Sequence, residues 1–266
     1  MSARVTSSAA AQRALWGGRP DDWAAISEPL MLPVYARVLD LLDVAPGVRL
    51  LDVGCGAGLA AAGALARGAR AWGIDATPAL VDVARRQVPR ADFTVGEMEN
   101  LPFHQGEFDA VTGFNSFQFA ADHVRALAEA GRVLKRDGQV AVVAFAEPER
   151  CDGTAIWHAL GELAPADEDG GPDPYVLAPE GATESALEEA GLAPQAAIDI
   201  DSEWNYADLA TAIRGVLSSA GGARALAAAS PQEVEAALSD AFAPFVRDSG
   251  SVTLHNVFRC VIARRA

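Results

Sequence analysis

The sequence predicts an α/β fold, a doubly wound sheet with helices on both faces. Three observations predict it. Short apolar runs suited to strands buried on both sides alternate with stretches at helical spacing between residues 34 and 145. Leu50, Leu51 and Val53 lead into Gly54-Cys55-Gly56-Ala57-Gly58 and then into an alanine-rich helical stretch over 59–66. Such a strand, Gly-x-Gly-x-Gly turn and helix open α/β units that hold a nucleotide-like ligand, because glycine has no Cβ to keep the ligand away. Finally, Asp75 closes the next apolar run, about twenty residues beyond the glycines, where an acid suits the two hydroxyls of a ribose.

The elements follow in order. Residues 1–12 are small and polar and read as loose. Helical character runs from 14 to 42, broken near Pro20, Pro29 and Pro33, with Val34, Val38, Leu41 and Leu42 on one face. Trp16, Trp23 and Tyr35 read as aromatic anchors that dock this leading segment. Residues 71–74 form the second strand; Thr77 reads as an N-cap with Pro78 at the first helical position. The third, fourth and fifth strands are expected at 91–95, 108–114 and 139–145. Between the last two, Val124, Leu127, Gly131 and Leu134 mark a helix; Lys135 and Arg136 complement its negative end and Gly138 closes it.

Beyond residue 146 a helix at 154–163 carries Trp157 and His158, and an acidic, Pro/Gly-rich loop runs to Pro174. A helix at 180–190 leads to a sixth strand at 195–204. Residues 205–250 read as helices, one with Leu209, Ile213, Val216 and Leu217 on a face, another opened by a Ser230/Glu233 capping box. The last strand is expected at 252–263.

A chain of 266 residues can bury one substantial core with insertions. No apolar run approaches the length of a membrane span and no secretory leader opens the chain, so a cytoplasmic protein without a membrane partner is expected. The net charge of -15 disfavours nonspecific binding to nucleic acid or anionic membranes. Cys55, Cys151 and Cys260 lie far apart with no pair at metal-ligand spacing, so neither a structural disulfide nor a metal site is expected.

The run Leu51-Asp52-Val53-Gly54-Cys55-Gly56-Ala57-Gly58 resembles the first motif of class I S-adenosylmethionine-dependent methyltransferases, in the small-molecule, methyltransferase type 11-like branch. Two details separate it from a dinucleotide site. Asp52 would repel a pyrophosphate but can accept from an ammonium group, and the spacing is not Gly-x-Gly-x-x-Gly. Gly96-Glu97-Met98-Glu99-Asn100-Leu101-Pro102-Phe103 resembles that family's Gly-Asp-Ala-Glu-x-Leu-Pro-Phe motif, with Glu for Asp and Met for Ala. Residues 126–138 are similar to the family's lead into the fifth strand.

The resemblance implies a seven-stranded mixed, Rossmann-like sheet with its last strand antiparallel and with helical lid insertions. It divides the chain into an N-terminal flap (1–45), a cofactor-binding core (46–146), a helical insertion (147–177), the rest of the sheet (178–204 and 251–266) and a lid (205–250). The implied cofactor is S-adenosylmethionine, contacted at Asp52, Gly54, Cys55, Gly56, Asp75, Ala76, Glu97, Met98 and Asn115. In these terms Asp75 meets the ribose, Glu97 the adenine amino group, Met98 the ring by its N–H and side chain, and Asn115 the methionine end. Trp16, Trp23 and Tyr35 then have a second reading as a flap over that end.

The implied function is methyl transfer to a small-molecule acceptor. The alternative is a protein that binds the cofactor without methylating, and a nicotinamide-dependent oxidoreductase is a third reading. His158 is the expected catalytic base, set against a packed or solvated histidine; His255 also lies in a segment expected to border the pocket. Gln118, Phe117 and Phe119 either face substrate or form a capped turn with buried aromatics. The lid is expected to be separable from cofactor binding. Its Arg214, Arg224 and Arg247 are solvated charges or, with two turned inward, a seat for a carboxylate or phosphate.

Overall fold

A computed structural model of the chain describes residues 8–164 and 175–265. Seven strands form one sheet in the order β3-β2-β1-β4-β5-β7-β6. They are β1 (Arg49–Val53), β2 (Arg70–Asp75), β3 (Asp92–Val95), β4 (Phe108–Phe114), β5 (Leu134–Phe145), β6 (Leu192–Tyr206) and β7 (Val252–Arg265). The first five are mutually parallel, and β7 runs antiparallel between β5 and β6. β1 has β2 on one side and β4 on the other, so chain connections depart in opposite directions there. A crevice opens at the carboxyl ends of the strands at such a switch point.

Alternation along the strands separates two cores. Leu50, Ala110, Ala141 and Val143 face one side, where α3 (Leu32–Leu41), α4 (Leu59–Ala66) and α5 (Pro78–Gln87) pack. Leu51, Val111, Val140 and Val142 face the other, under α6 (His123–Val133) and α8 (Ala182–Glu189). The first face also receives α7 (Gly153–Leu163), α9 (Leu209–Leu217) and α11 (Pro231–Phe242). α10 (Ala220–Ala228) packs beside α7.

Local chemistry sets the helix starts. Asp122 accepts from Arg125 N, Asp208 from Thr211 N and Ser219 from Gly222 N. Ser230 and Glu233 close the expected capping box. Thr77 does not cap α5 with its side chain; Asp75 Oδ1 instead accepts from Thr77 N at 2.8 Å.

Two expectations are corrected and one is met. Gly138 closes no helix: α6 ends at Val133 and Leu134 already pairs with Phe108 of β4, so Lys135, Arg136 and Gly138 belong to β5. Residues 8–12 are not loose, because α1 (Ser8–Trp16) includes them; residues 1–7 lie outside the described residues, as does the acidic loop expected over 165–174. The break expected near Pro33 is the change from a 3-10 turn ending at Met31 to α3 at Leu32; Pro33 sits in the first turn of α3, where its missing N–H costs no bond. Between Pro20 and Met31 the chain forms the short α2 (Pro20–Asp22), a π-turn over Trp23–Ser27 and a 3-10 turn over Glu28–Met31.

The lid is less separable than its sequence suggests. Val234, Leu238 and Phe242 of α11 are fully buried in the same core as Leu50 and Phe258. All three cysteines are buried and unpaired. No described helix is long and apolar enough to cross a membrane.

Candidate functional site

The crevice contains a cavity of about 380 Å³. Its floor is the glycine turn. Gly54 N and Cys55 N both donate to Ile74 O, at 2.7 and 3.0 Å, which bends the chain off the end of β1 across β2. Gly54 and Gly56 have φ of +77° and +52°, the left-handed region that side chains avoid. A Cβ on Gly54 would lie 2.4 Å from Ser116 Cβ, so the turn and the loop after β4 approach as closely as only glycine permits.

Asp75 fastens the turn: Oδ2 accepts from Gly56 N at 3.0 Å while Oδ1 holds Thr77 N. Its carboxyl lines the cavity, and burial raises its pKa against these two backbone bonds. Asn115, at the end of β4, has φ +48°; its Oδ1 accepts from Gln118 Nε2 at 3.3 Å, and the residue lines the same wall. Glu97 and Met98 are delivered by α6. Glu129 Oε2 accepts from Leu101 N, while Arg132 donates to Leu101 O and Phe103 O, each at 2.8–2.9 Å, and this pins the segment 97–103 against the sheet.

Of the residues singled out in the sequence, Gly54, Gly56, Asp75, Ala76, Glu97, Met98 and Asn115 come together on the cavity wall. Asp52 and Cys55 do not. Asp52 is buried behind the turn, where its Oδ1 accepts from Thr112 Oγ1 at 2.8 Å, as the Asp52–Thr112 register between β1 and β4 requires. Cys55 is buried beneath the turn with its thiol 3.9 Å from Gly56 O.

His158 is also corrected. It occupies the outer face of α7, 73% exposed and 3.7 Å from Glu162, whereas Trp157 and Leu160 turn inward. No histidine lines the cavity among the described residues; His255 is 63% exposed beside Glu203. Gln118 and Phe119 line the cavity, but Phe117 is buried in the core. Of the three lid arginines, Arg214 pairs with Asp22 and Arg247 is exposed, leaving Arg224 alone on the wall. The condition of two inward arginines is not met.

Glu28 was not singled out by the sequence. It is 1% exposed, and its Oε1 accepts from Leu59 N at 3.2 Å, so it caps α4 from thirty-one residues away. Burial, with smaller contributions from Asp52 and Asp75, pushes its pKa up to about 8 against the α4 backbone bonds. Burial first, then Asp75, raises Asp52 to about 7 against the Thr112 bond. Both carboxyls therefore hold protons in the folded chain that the unfolded chain releases from about pH 4. Folding takes up protons at these two groups in that interval, so the stability they contribute is full below about pH 4 and is lost as pH rises to about 8. Glu28→Gln stays uncharged and is expected to remove much of this slope. Relative to wild type it should gain about 2–4 kcal/mol in urea unfolding on going from pH 5 to pH 8. Parallel profiles would contradict the buried, protonated Glu28.

Several buried polar atoms of cavity-lining residues have no partner among the described residues: Trp23 Nε1, Ser116 Oγ, Gln118 Oε1 and Trp204 Nε1. A buried donor or acceptor without a partner is costly and calls for a ligand or water. With the glycine turn and the carboxyls of Asp75 and Glu97, these groups fit a nucleoside-bearing cofactor.

Residues 51–142 match the family profile described as "Methyltransferase domain". Residues 51–142 form a methyltransferase domain. S-adenosylmethionine is the cofactor of the family. An uncharacterized protein of Mycobacterium tuberculosis is 34% identical over 126 residues, 46% of this chain and 46% of the relative. The chain thus spans about half the length of such curated relatives. Geranyl diphosphate methyltransferase, solved with S-adenosylmethionine, superposes with TM-score 0.52 at 19% identity, over 87% of this chain and 85% of that one. The [4+2]-cyclase SpnF superposes with TM-score 0.54 at 22% identity, over 86% and 80%. These likenesses show that the methyltransferase domain has the family's Rossmann-like fold, and that a protein named for a different reaction shares it.

Proposed function

We propose that the protein transfers the methyl group of S-adenosylmethionine to a small-molecule acceptor. The observation that carries this reading is one continuous cavity: its glycine-turn end is lined by Gly54, Gly56, Asp75 and Glu97, its other end by aromatic side chains. Bound S-adenosylmethionine supplies an electrophilic methyl carbon on a sulfonium, open to in-line displacement.

The chain's own residues bind, orient and exclude water. Asp75 accepts from the ribose hydroxyls with the lone pairs left over from Gly56 and Thr77. Glu97 and Ala76 border the adenosine, Met98 packs beside the ring, and Asn115 faces the methionine end. Gly54 and Gly56 permit close approach of the backbone. Asp52 and Cys55 support the turn from behind, and Glu28 ties the N-terminal flap to it. The described residues of the flap (1–45) and of the segments 147–177 and 205–250 roof those of the core (46–146, 178–204 and 251–266) and keep water from the acceptor. With no histidine on the described wall, His158 has no part in the chemistry and transfer rests on proximity and alignment. A cytoplasmic setting, with neither nucleic acid nor membrane as partner, belongs to the same proposal and is supported by the charge of -15.

The fold shared with a cyclase supports a second reading, in which the cofactor is bound but its methyl group is not transferred. Incubation with S-adenosylmethionine and a panel of ring-containing acceptors decides between them. Acceptor-dependent release of S-adenosylhomocysteine with a methylated product is expected. Tight cofactor binding without release across the panel would favour the second reading.

A further inference from the structure

The end of the cavity away from the glycine turn is built from residues on four separate segments. Phe145 ends β5, Trp157 and Leu160 come from α7, Tyr175 follows the 165–174 segment, and Trp204 and Tyr206 end β6. Phe145 is the hub. Its ring centroid lies 5.8 Å from Trp204 and 6.2 Å from Tyr175, and the fully buried Phe258 backs it at 4.7 Å. Rings fixed in this way from behind present flat, stiff faces that suit a flat partner and cost little ordering entropy on binding.

Charge is distributed unevenly along the same wall. Its acids, Asp75, Glu97 and Glu99, belong to the glycine-turn half, on the ends of β2 and β3. Arg224 is its one cationic residue among the described residues. Arg224 lies one helical turn beyond Gly221, whose Cβ position is 3.7 Å from the Trp157 ring and 3.3 Å from Leu160, so α10 places it beside the aromatic end. Unlike Arg214, it makes no ion pair or hydrogen bond with any described side chain, although it is partly buried. In a protein carrying -15, a partly buried guanidinium without a carboxylate partner among the described residues is unusual. Trp204, 8% exposed, lines the same chamber, and its buried Nε1 has no partner among the described residues.

Resting on the methyl-transfer reading for its role, we propose that this chamber binds a flat, ring-containing apolar acceptor bearing one anionic group. Its rings lie against Phe145, Trp157 and Trp204, and its anion meets the Arg224 guanidinium. The planar fork of arginine matches a carboxylate in a bidentate way, which lysine does not.

The test uses 2-naphthoate, its neutral counterpart 2-naphthalenemethanol, and hexanoate as an anion without rings. Each is titrated into the full chain by calorimetry, and S-adenosylhomocysteine binding is measured separately on every variant. 2-Naphthoate is expected to bind about tenfold more tightly than 2-naphthalenemethanol, and hexanoate more weakly than either. Arg224→Gln should bring the two naphthalene ligands level while S-adenosylhomocysteine binding is unchanged, and Trp157→Leu should weaken both alike. Equal affinity of the two in the wild-type chain, a preference surviving Arg224→Gln, or hexanoate binding as well as 2-naphthoate would each overturn the proposal. If 2-naphthoate behaves as expected but S-adenosylhomocysteine does not bind, the methyl-transfer reading fails and the anion-selective aromatic chamber stands.

Discussion

Gly54→Ala is expected to destabilise the protein by about 2–5 kcal/mol and to abolish measurable cofactor binding. Two costs combine. A left-handed φ of +77° costs an alanine about 1–2 kcal/mol. Its methyl group would also lie 2.4 Å from Ser116 Cβ, a contact relieved only by moving the turn or the loop after β4, at about 1–3 kcal/mol. That movement separates Gly54 from Asn115 and Ser116, the two sides of the floor. Urea unfolding and S-adenosylhomocysteine titration read the two effects. A variant that loses stability yet binds with unchanged affinity would remove the turn from the site.

Phe242→Ala is the second large effect, about 3–5 kcal/mol of stability. Phe242 is fully buried in α11, and its ring stands edge-on to Tyr206 at 6.2 Å, so its loss opens a void directly behind the chamber wall. The size of the loss distinguishes two descriptions of residues 205–250. A lid that rests on a finished domain would shed α11 at small cost, below about 1 kcal/mol for this substitution. A segment that completes the core, as the burial of Val234, Leu238 and Phe242 indicates, carries the full penalty.

What the sequence made legible follows from which interactions are local. β1, β2 and β4 were readable because strands buried on both faces are mostly apolar, and the glycine turn because positive φ leaves a compositional mark. Gly138 misled because a glycine after a basic pair mimics a helix end, while pairing with β4 had already drawn Leu134 into a strand. His158 was misplaced although helical spacing held the answer: Ile156, Trp157 and Leu160 share the inward face of α7, and His158 and Glu162 oppose it. Asp52 was assigned to the ligand because a carboxylate just before the glycines can accept from an ammonium group, yet its pairing with β4 turns its carboxyl toward Thr112. Glu28 and the aromatic chamber were beyond reach, since tertiary folding alone brings residue 28 to residue 59, or Phe145, Trp157 and Trp204 onto one wall. The nearest local signal for Glu28 was an acid between a tryptophan segment and the apolar Pro29-Leu30-Met31, a place where a solvated carboxylate is out of keeping.

The central claim is that the crevice beside β1 holds S-adenosylmethionine with Asp75 on its ribose. Calorimetric titration of the purified chain with S-adenosylhomocysteine and with NAD, repeated on Asp75→Ala, tests it most directly. Saturable heat is expected with S-adenosylhomocysteine and none with NAD, and affinity is expected to be lower by about 1–3 kcal/mol in the variant, which leaves the ribose hydroxyls without their charged acceptor. Equal binding of NAD, or an unchanged dissociation constant in Asp75→Ala, would contradict it.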